Sequence, residues 1–524
     1  MRVRRAAPAP ASGGPSRPPR RPGNHHDGGR VSSGGRRARR RTREGRAHPG
    51  PSVRPGGKAH HGGGRMTGTD QHAVVVGGGL AGVTTALELA DAGLRVTLLE
   101  GRPRLGGLAF SFKRGELDVD NGQHVYLRCC TAYRWFLDRV DGAALAPLQD
   151  RLDVPVLDVA HPGGPRLGRL RRSALPVPLH LAGSLACYPH LSLAERASVG
   201  RAALALRRLD PADPALDGLD FATWLRRYGQ SARTIEALWD LVGIATLNAT
   251  AEQSSLGLAA MVFKTGLLSE KGAADIGWAR VPLGELHDTL ARKALDAAGV
   301  RTELRTRVTA VTRTPEGAWR VDTEDESLEA GTVVLAVPQR EAHGLLPSGA
   351  LADPDKLLDI ATAPILNVHV VYDRKVLKQP FFAALGSPVQ WVFDRTDSSG
   401  LPDGGQYLAL SQSVAQDDID EPVSVLRAKY LPELERLLPA ARGAKVRDFF
   451  VTRERTATFA PTPGVGRLRP GARTDTPGLY LAGAWTATGW PATMESAVRS
   501  GLSAAHAALA ALGRPREHPL QEAA

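Results

Sequence analysis

The run Ala73-Val74-Val75-Val76-Gly77-Gly78-Gly79-Leu80-Ala81-Gly82 constrains the fold of this chain more than any other stretch. Four apolar residues suit a buried parallel strand, and glycines follow at once. Leu80, Val83, Ala86, Leu87, Leu89 and Ala90 are then spaced for one face of a helix that stops at Asp91-Ala92-Gly93. A second strand, Arg95-Val96-Thr97-Leu98-Leu99, ends on Glu100. Strand, glycine turn, helix, strand and terminal acid together form a βαβ unit with a dinucleotide fingerprint in the context it requires. Gly77 permits the tight turn. Gly79, with Leu80 and Ala81 opening the helix, lets backbone approach a pyrophosphate, and Gly82 lets helix and strand pack closely. Glu100, 18 residues after Gly82, is placed to accept from a ribose hydroxyl and to repel a 2′-phosphate, which disfavours NADP.

Charge bears on what else the chain could be. A net charge of +13 over 524 residues would suggest a nucleic-acid or anionic-membrane partner. Residues 1–65, however, hold 17 Arg and Lys against two acids, so this segment carries +15 and the rest −2. The segment is Gly, Pro, Arg, Ser and His with no apolar period, and residues 1–68 are expected to be a disordered basic extension. Met66 reads as an ordinary start before the first strand, with residues 1–65 upstream of the working frame. No apolar run follows the Arg pairs, so a twin-arginine signal is weak, and a specific nucleic-acid partner is not expected. Cys129, Cys130 and Cys187 show neither C-x-x-C spacing nor a paired His cluster, so no metal is expected and a reducing, cytoplasmic compartment is the default. No spanning helix is expected, because prolines and histidines break the most apolar stretch, Leu175 to Leu193.

Beyond Glu100, the stretch Gly101-Arg102-Pro103-Arg104-Leu105-Gly106-Gly107 resembles the flavin-dependent amine oxidase and phytoene desaturase superfamily. The resemblance implies FAD, with Arg102, Arg104, Gly106 and Gly107 around the pyrophosphate and ribityl chain. Leu108 stands where many relatives have Arg, so Arg104 or Arg102 is expected to supply that charge. Near the C-terminus, Gly478-Leu479-Tyr480-Leu481-Ala482-Gly483 and the following Pro491-Ala492-Thr493-Met494-Glu495 resemble the family's returning strand and flavin-facing helix. This adds Gly483, Ala492, Thr493 and Met494 to the expected cofactor contacts, with Ala484 departing from the family's Asp. A positive helix end there would stabilise charge developing on the reduced flavin by ~0.3–2 kcal/mol. Val308, within Arg301 to Val311, resembles the strand valine that meets the adenine.

The fold class implied is α/β: a discontinuous Rossmann-like FAD-binding domain (69–150, 280–345 and 460–515) with an inserted α+β substrate domain (151–279 and 346–459). Asp120-Asn121-Gly122-Gln123-His124, Ile244-Ala245-Thr246-Leu247-Asn248 and Thr488 to Glu495 resemble the hydroxysqualene dehydroxylase family. That resemblance implies reductive removal of the hydroxyl of hydroxysqualene to give squalene, using reduced FAD whose electron donor the sequence does not name. His124 and Asp120 are the candidate catalytic residues at the polar end of the substrate. The alternative for His124 is a structural histidine holding its loop, and for Asp120 and Asn121 a role as turn residues. Arg166, Arg169, Arg171 and Arg172 ahead of Leu175–Leu193 suit either a basic rim beside a peripheral membrane contact or a solvated loop before a core helix. Leu256, Leu258, Met261, Val262, Leu267 and Leu268 suit either a lipid pocket or plain core. Competing readings are a carotenoid or phytoene desaturase of the same superfamily, and a non-enzymatic prenyl-lipid carrier of the same fold.

Overall fold

A computed structural model describes residues 71–517, without 162 and 403, together with Leu520. The expected extension 1–68 lies outside the described residues. The first strand, His72–Val76, is buried along its whole length, as both faces of a parallel sheet must be. It sits at the centre of five parallel strands in the order Leu479–Leu481, Thr332–Leu335, His72–Val76, Arg95–Glu100, Arg301–Leu304. The helices Leu80–Asp91 and Met494–Ala511 pack together on this sheet, and the glycine at 501 sets how closely. A Cβ on Gly501 would stand 2.4 Å from the Ala81 carbonyl oxygen.

The sequence reading of 301–311 as one strand needs correction. Arg305 adopts φ 60° and breaks it. Arg301–Leu304 pairs with Arg95–Glu100, whereas Val308–Arg313 turns away to pair antiparallel with Trp319–Thr323, the middle of a three-stranded sheet. Val308 is buried beside the parallel sheet but is not part of it.

The second large sheet has seven strands, in the order Val446–Phe459, Thr362–Tyr372, Gln406–Ser413, Trp391–Asp394, Phe381–Leu385, Asp153–Asp158, Arg166–Arg171. All its pairs are antiparallel except that of Phe381–Leu385 with Asp153–Asp158. Strand alternation gives it two unlike faces. Leu366, Val368, Val370, Phe382, Val392, Leu408 and Leu410 form a core under the helix Val423–Leu437, which contributes Leu426, Tyr430 and Leu434. The alternate residues, Asn367, His369, Tyr407, Phe450 and Thr452 at one end and Phe381, Trp391 and Phe393 at the other, look the opposite way. Helices between 182 and 263 complete this part, and Leu256, Leu258, Met261 and Leu268 are buried in it.

Arg166, Arg169 and Arg171 are exposed on the edge strand. Arg172 is not part of an exposed basic rim: it donates to both oxygens of Asp275, whose side chain is fully buried. Burial alone would raise the Asp275 pKa, but Arg172, Arg128 and the Leu152 amide outweigh it and hold the carboxyl below its ordinary value. Leu175, Leu179 and Leu193 are exposed, so the stretch between them is no buried core helix. Among the described residues no helix is long and apolar enough to cross a membrane.

Candidate active site

The glycine turn has the geometry a dinucleotide needs. A Cβ on Gly82 would lie 1.8 Å from the Gly77 carbonyl oxygen, so no other residue fits there. Gly79 precedes the helix Leu80–Asp91, which has no side-chain cap and no acid in its first turn, leaving its positive end open to an anion. Gly106 and Gly107, both at positive φ, fold over this turn. The Gly106 amide donates to the Gly78 carbonyl, and a Cβ on Gly107 would stand 3.0 Å from Gly79 Cα. The cradle between the two glycine segments would be filled by any side chain, which is the fit expected of a pyrophosphate group held by backbone.

Glu100 closes the strand with its carboxylate fixed by backbone: Oε2 accepts from the Gly78 amide and Oε1 from the Arg102 amide, each at 2.7 Å. Each oxygen keeps a second lone pair for a hydroxyl donor. Arg102 is exposed, while Arg104 lies over the Phe110 ring and donates to the Gly107 carbonyl. Gly483 ends the strand Leu479–Leu481 and donates its amide to Ser500 Oγ. Thr493 caps the helix Met494–Ala511 through Ser496, with Ala492 and Met494 half-buried beside it. The loop 484–490 before this helix is knotted by Arg469, which the sequence reading did not single out. Its buried guanidinium donates to the carbonyls of Ala484, Trp485, Thr486 and Trp490, and burial pulls its pKa down to about 10.

The loop Asp120 to His124 joins the two halves of the molecule. Asp120 Oδ1 accepts from Ser111 Oγ and the Leu283 amide, and Oδ2 accepts from Arg395 Nη2 at 2.8 Å. The Arg395 side chain is only 6% exposed and also donates to the Ala279 carbonyl. Asn121, 1% exposed, accepts from the Phe110 amide and donates to the Leu108 carbonyl and to Glu454 Oε1. Its own carbonyl receives Asn367 Nδ2 at 3.0 Å and Thr452 Oγ1 at 2.6 Å. Behind Thr452 the chain continues: His369 Nε2–H donates to Thr452, and the Tyr407 hydroxyl donates to His369 Nδ1. Burial pushes the His369 pKa down to about 3, so it is a neutral relay. Gly122 has no room for a side chain, because a Cβ would meet Asn367 Nδ2 at 2.8 Å.

His124 donates Nδ1–H to the Gly122 carbonyl at 2.9 Å, which leaves Nε2 as its acceptor. Burial lowers its pKa, while the Gly122 carbonyl, Asp120 and Glu454 oppose that effect and Arg395 adds to it. His287, close enough to His124 to act on its charge, donates Nδ1–H to the Ala109 carbonyl, accepts from the Tyr133 hydroxyl, and is pushed by burial to about 4. The Cβ of His287 would lie 3.1 Å from a Cβ on Gly106. His124, Glu454, Arg104 and the glycine pair are therefore one neighbourhood, at the end of the dinucleotide cradle.

The polar neighbourhood gives way to largely buried aromatic side chains along the same sheet face. Trp278 stands edge-on to Phe381 with centroids 5.5 Å apart, and Phe393 and Trp391 follow. Sequence reasoning missed Arg395, Glu454, Asn367, His369, Tyr407 and Thr452. One signal was available: in Ile365-Leu366-Asn367-Val368-His369-Val370-Val371, polar residues recur with period 2 inside an apolar strand, which places both on one face.

A family model, flavin containing amine oxidoreductase, matches residues 80–509. The hydroxysqualene dehydroxylase of Rhodopseudomonas palustris is 30% identical over 451 residues, covering 83% of this chain and 98% of that protein. The hydroxysqualene dehydroxylase of Sinorhizobium fredii is 28% identical over 452 residues, covering 83% and 97%. Among solved structures, cyclohexylamine oxidase from Brevibacterium oxydans shares the fold with a TM-score of 0.64 at 18% identity, over 85% of this chain and 100% of that one. The cradle and these likenesses agree on FAD as the cofactor. The chain belongs to the flavin containing amine oxidoreductase family and groups there with the hydroxysqualene dehydroxylases.

Proposed function

We propose that this protein is an FAD-dependent oxidoreductase that removes the hydroxyl of hydroxysqualene reductively, giving squalene. The observation that carries the reading is the clamped loop Asp120–His124, which sets a polar end against an aromatic sheet face beside the dinucleotide cradle. A long hydrocarbon with one hydroxyl matches that polarity. FAD is held, in this reading, by Gly77, Gly79, Leu80, Ala81, Gly82 and Glu100 at its pyrophosphate and ribose end. Arg104, Gly106 and Gly107 lie along its middle, Val308 towards the adenine, and Gly483, Ala492, Thr493 and Met494 towards the ring.

The reaction consumes one proton and one hydride: R–OH + H⁺ + H⁻ gives R–H and H₂O. Bound FAD, once reduced, supplies the hydride. The chain's own residues bind the hydrocarbon along Phe381, Trp391 and Phe393, exclude water, and hold a proton at His124 Nε2 for the departing hydroxyl. Asp120, with its oxygens committed to Ser111, Leu283 and Arg395, positions this loop and donates no proton. Incubation of the reduced, FAD-loaded protein with hydroxysqualene under anaerobic conditions should yield squalene. Desaturation of phytoene by the oxidised protein, without squalene formation, would instead place the chain among the desaturases.

So apolar a substrate resides in membranes. The exposed Leu167, Leu175, Leu179 and Leu193, among Arg166, Arg169 and Arg171, suit a peripheral contact with an anionic lipid surface. Vesicles of phosphatidylglycerol should carry the protein upward in a density gradient. Replacing Leu175 and Leu179 by Ser should leave it at the bottom; unaltered flotation would remove this surface from the proposal.

A further inference from the structure

We infer that Glu454, on the strand Val446–Phe459, is the positioning residue that allows His124 to carry the proton for the departing hydroxyl. The inference rests on the proposed role of His124 and adds the group that makes the role workable.

Three observations support it. Glu454 stands on the inner sheet face in register with Ile365, two residues along the strand from the Asn367–Thr452 pair that grips the loop. Its Oε1 accepts from Asn121 Nδ2 at 2.9 Å, so the carboxylate is tied to the loop that ends in His124. Its charge acts on both His124 and Arg104. The groups that face His124 are then Asp120, Glu454, Arg395 and His287. Asp120 is already paired with Arg395, and His287 is neutral. Among the described residues Glu454 forms no ion pair of that kind: its hydrogen bond is to the neutral Asn121 amide, although Arg104 is near enough to feel its charge. Of the two carboxylates that act on His124, it is the one not held in a salt bridge.

A solvent proton loads His124 Nε2. Transfer to the substrate oxygen breaks the C–O bond and releases water, and the carbon takes the hydride that reduced FAD supplies. Without a negative charge beside it, a buried imidazole would load only at lower pH.

Glu454→Gln tests this, because its amide oxygen can still accept from Asn121. A nearby opposite charge shifts a pKa by about 1–3 units, so with that charge removed the ring titration of His124, in protein carrying ¹³C-labelled histidine, should fall by about one unit. The His124 signal is identified by its loss in His124→Gln, and no turnover is required. The pH profile of kcat should move to acid by the same amount, a loss of about tenfold near neutrality, and Glu454→Asp should restore much of it. Unchanged titration and profile in Glu454→Gln would overturn the inference. Full turnover by His124→Gln would instead overturn the proposed role of His124, so the two failures are distinguishable. Equal thermal melting of Glu454→Gln and the unaltered protein shows that the readouts report on charge and not on folding.

Discussion

Asp120 and Arg395 are 275 residues apart in sequence, yet they form an ion pair in which neither side chain is much more than a tenth exposed. A charge placed so far from water is tolerated only because the partner and the remaining hydrogen bonds satisfy it. Asp120→Asn should therefore destabilise the fold by about 3–5 kcal/mol by leaving the guanidinium without its anion. Urea unfolding would measure this. The double variant with Arg395→Met should recover most of the loss, since a buried pair replaced by apolar groups is often neutral. If Asp120→Asn unfolds at the same urea concentration as the unaltered protein, the pair is not a structural link. At this scale the sequence showed which residue types were present but not their duties: Asp120 had the composition of an acid catalyst, and only its neighbours make it an anchor.

Among the elements, the helix Met494–Ala511 is tied to the helix Thr131–Arg139 by one buried carboxylate. Glu495 accepts from the amides of Ala132 and Tyr133, at the free end of the helix Thr131–Arg139, and from Arg499 one turn along its own helix. Burial raises the Glu495 pKa, and Arg499 with the two amides pulls against that rise. Removing it leaves two buried donors without an acceptor. Glu495→Ala should cost about 2–4 kcal/mol, read as a lower thermal midpoint, and Glu495→Gln should cost less because its oxygen still accepts one amide. Equal midpoints for all three would show that the helix is held by packing alone. The strand after Gly299 makes the complementary point. Its residue pattern from Arg301 to Val311 continues unbroken, yet the chain breaks at Arg305, between a segment paired with Arg95–Glu100 and one paired with Trp319–Thr323.

Taken whole, the molecule buries several histidines whose pKa falls, and two of them are pushed furthest: His287 beneath the glycine pair, to about 4, and His369 behind the loop, to about 3, both by burial. An unfolded histidine titrates near 6.5. Their contribution to stability is therefore fully present above pH 6.5 and is lost as pH falls towards the folded values, because the unfolded chain takes up protons first. At pH 5 each should have given up about 2 kcal/mol relative to pH 7.5. Urea unfolding at the two values would show the difference, and His369→Gln should remove about 2 kcal/mol of it. A slope unaffected by that change would mean that His369 is solvated in the fold.

How much was legible in the sequence follows from the range over which each interaction acts. The βαβ start, its glycine turn and the terminal Glu100 rest on local sterics and on periods of 2 and 3.6 residues, which a short window already contains. The glycine pair and the loop motifs carried the family likeness in the same local way. The neighbourhood of His124 was not legible. Asn121 meets Asn367 across 246 residues and Glu454 across 333, and nothing in either strand's composition names its partner. The sequence by itself determined the nucleotide-binding unit and the polar loop. Only the tertiary structure decided that this loop closes on the inner face of the second sheet, because burial, register and charge pairing arise when distant strands are brought together.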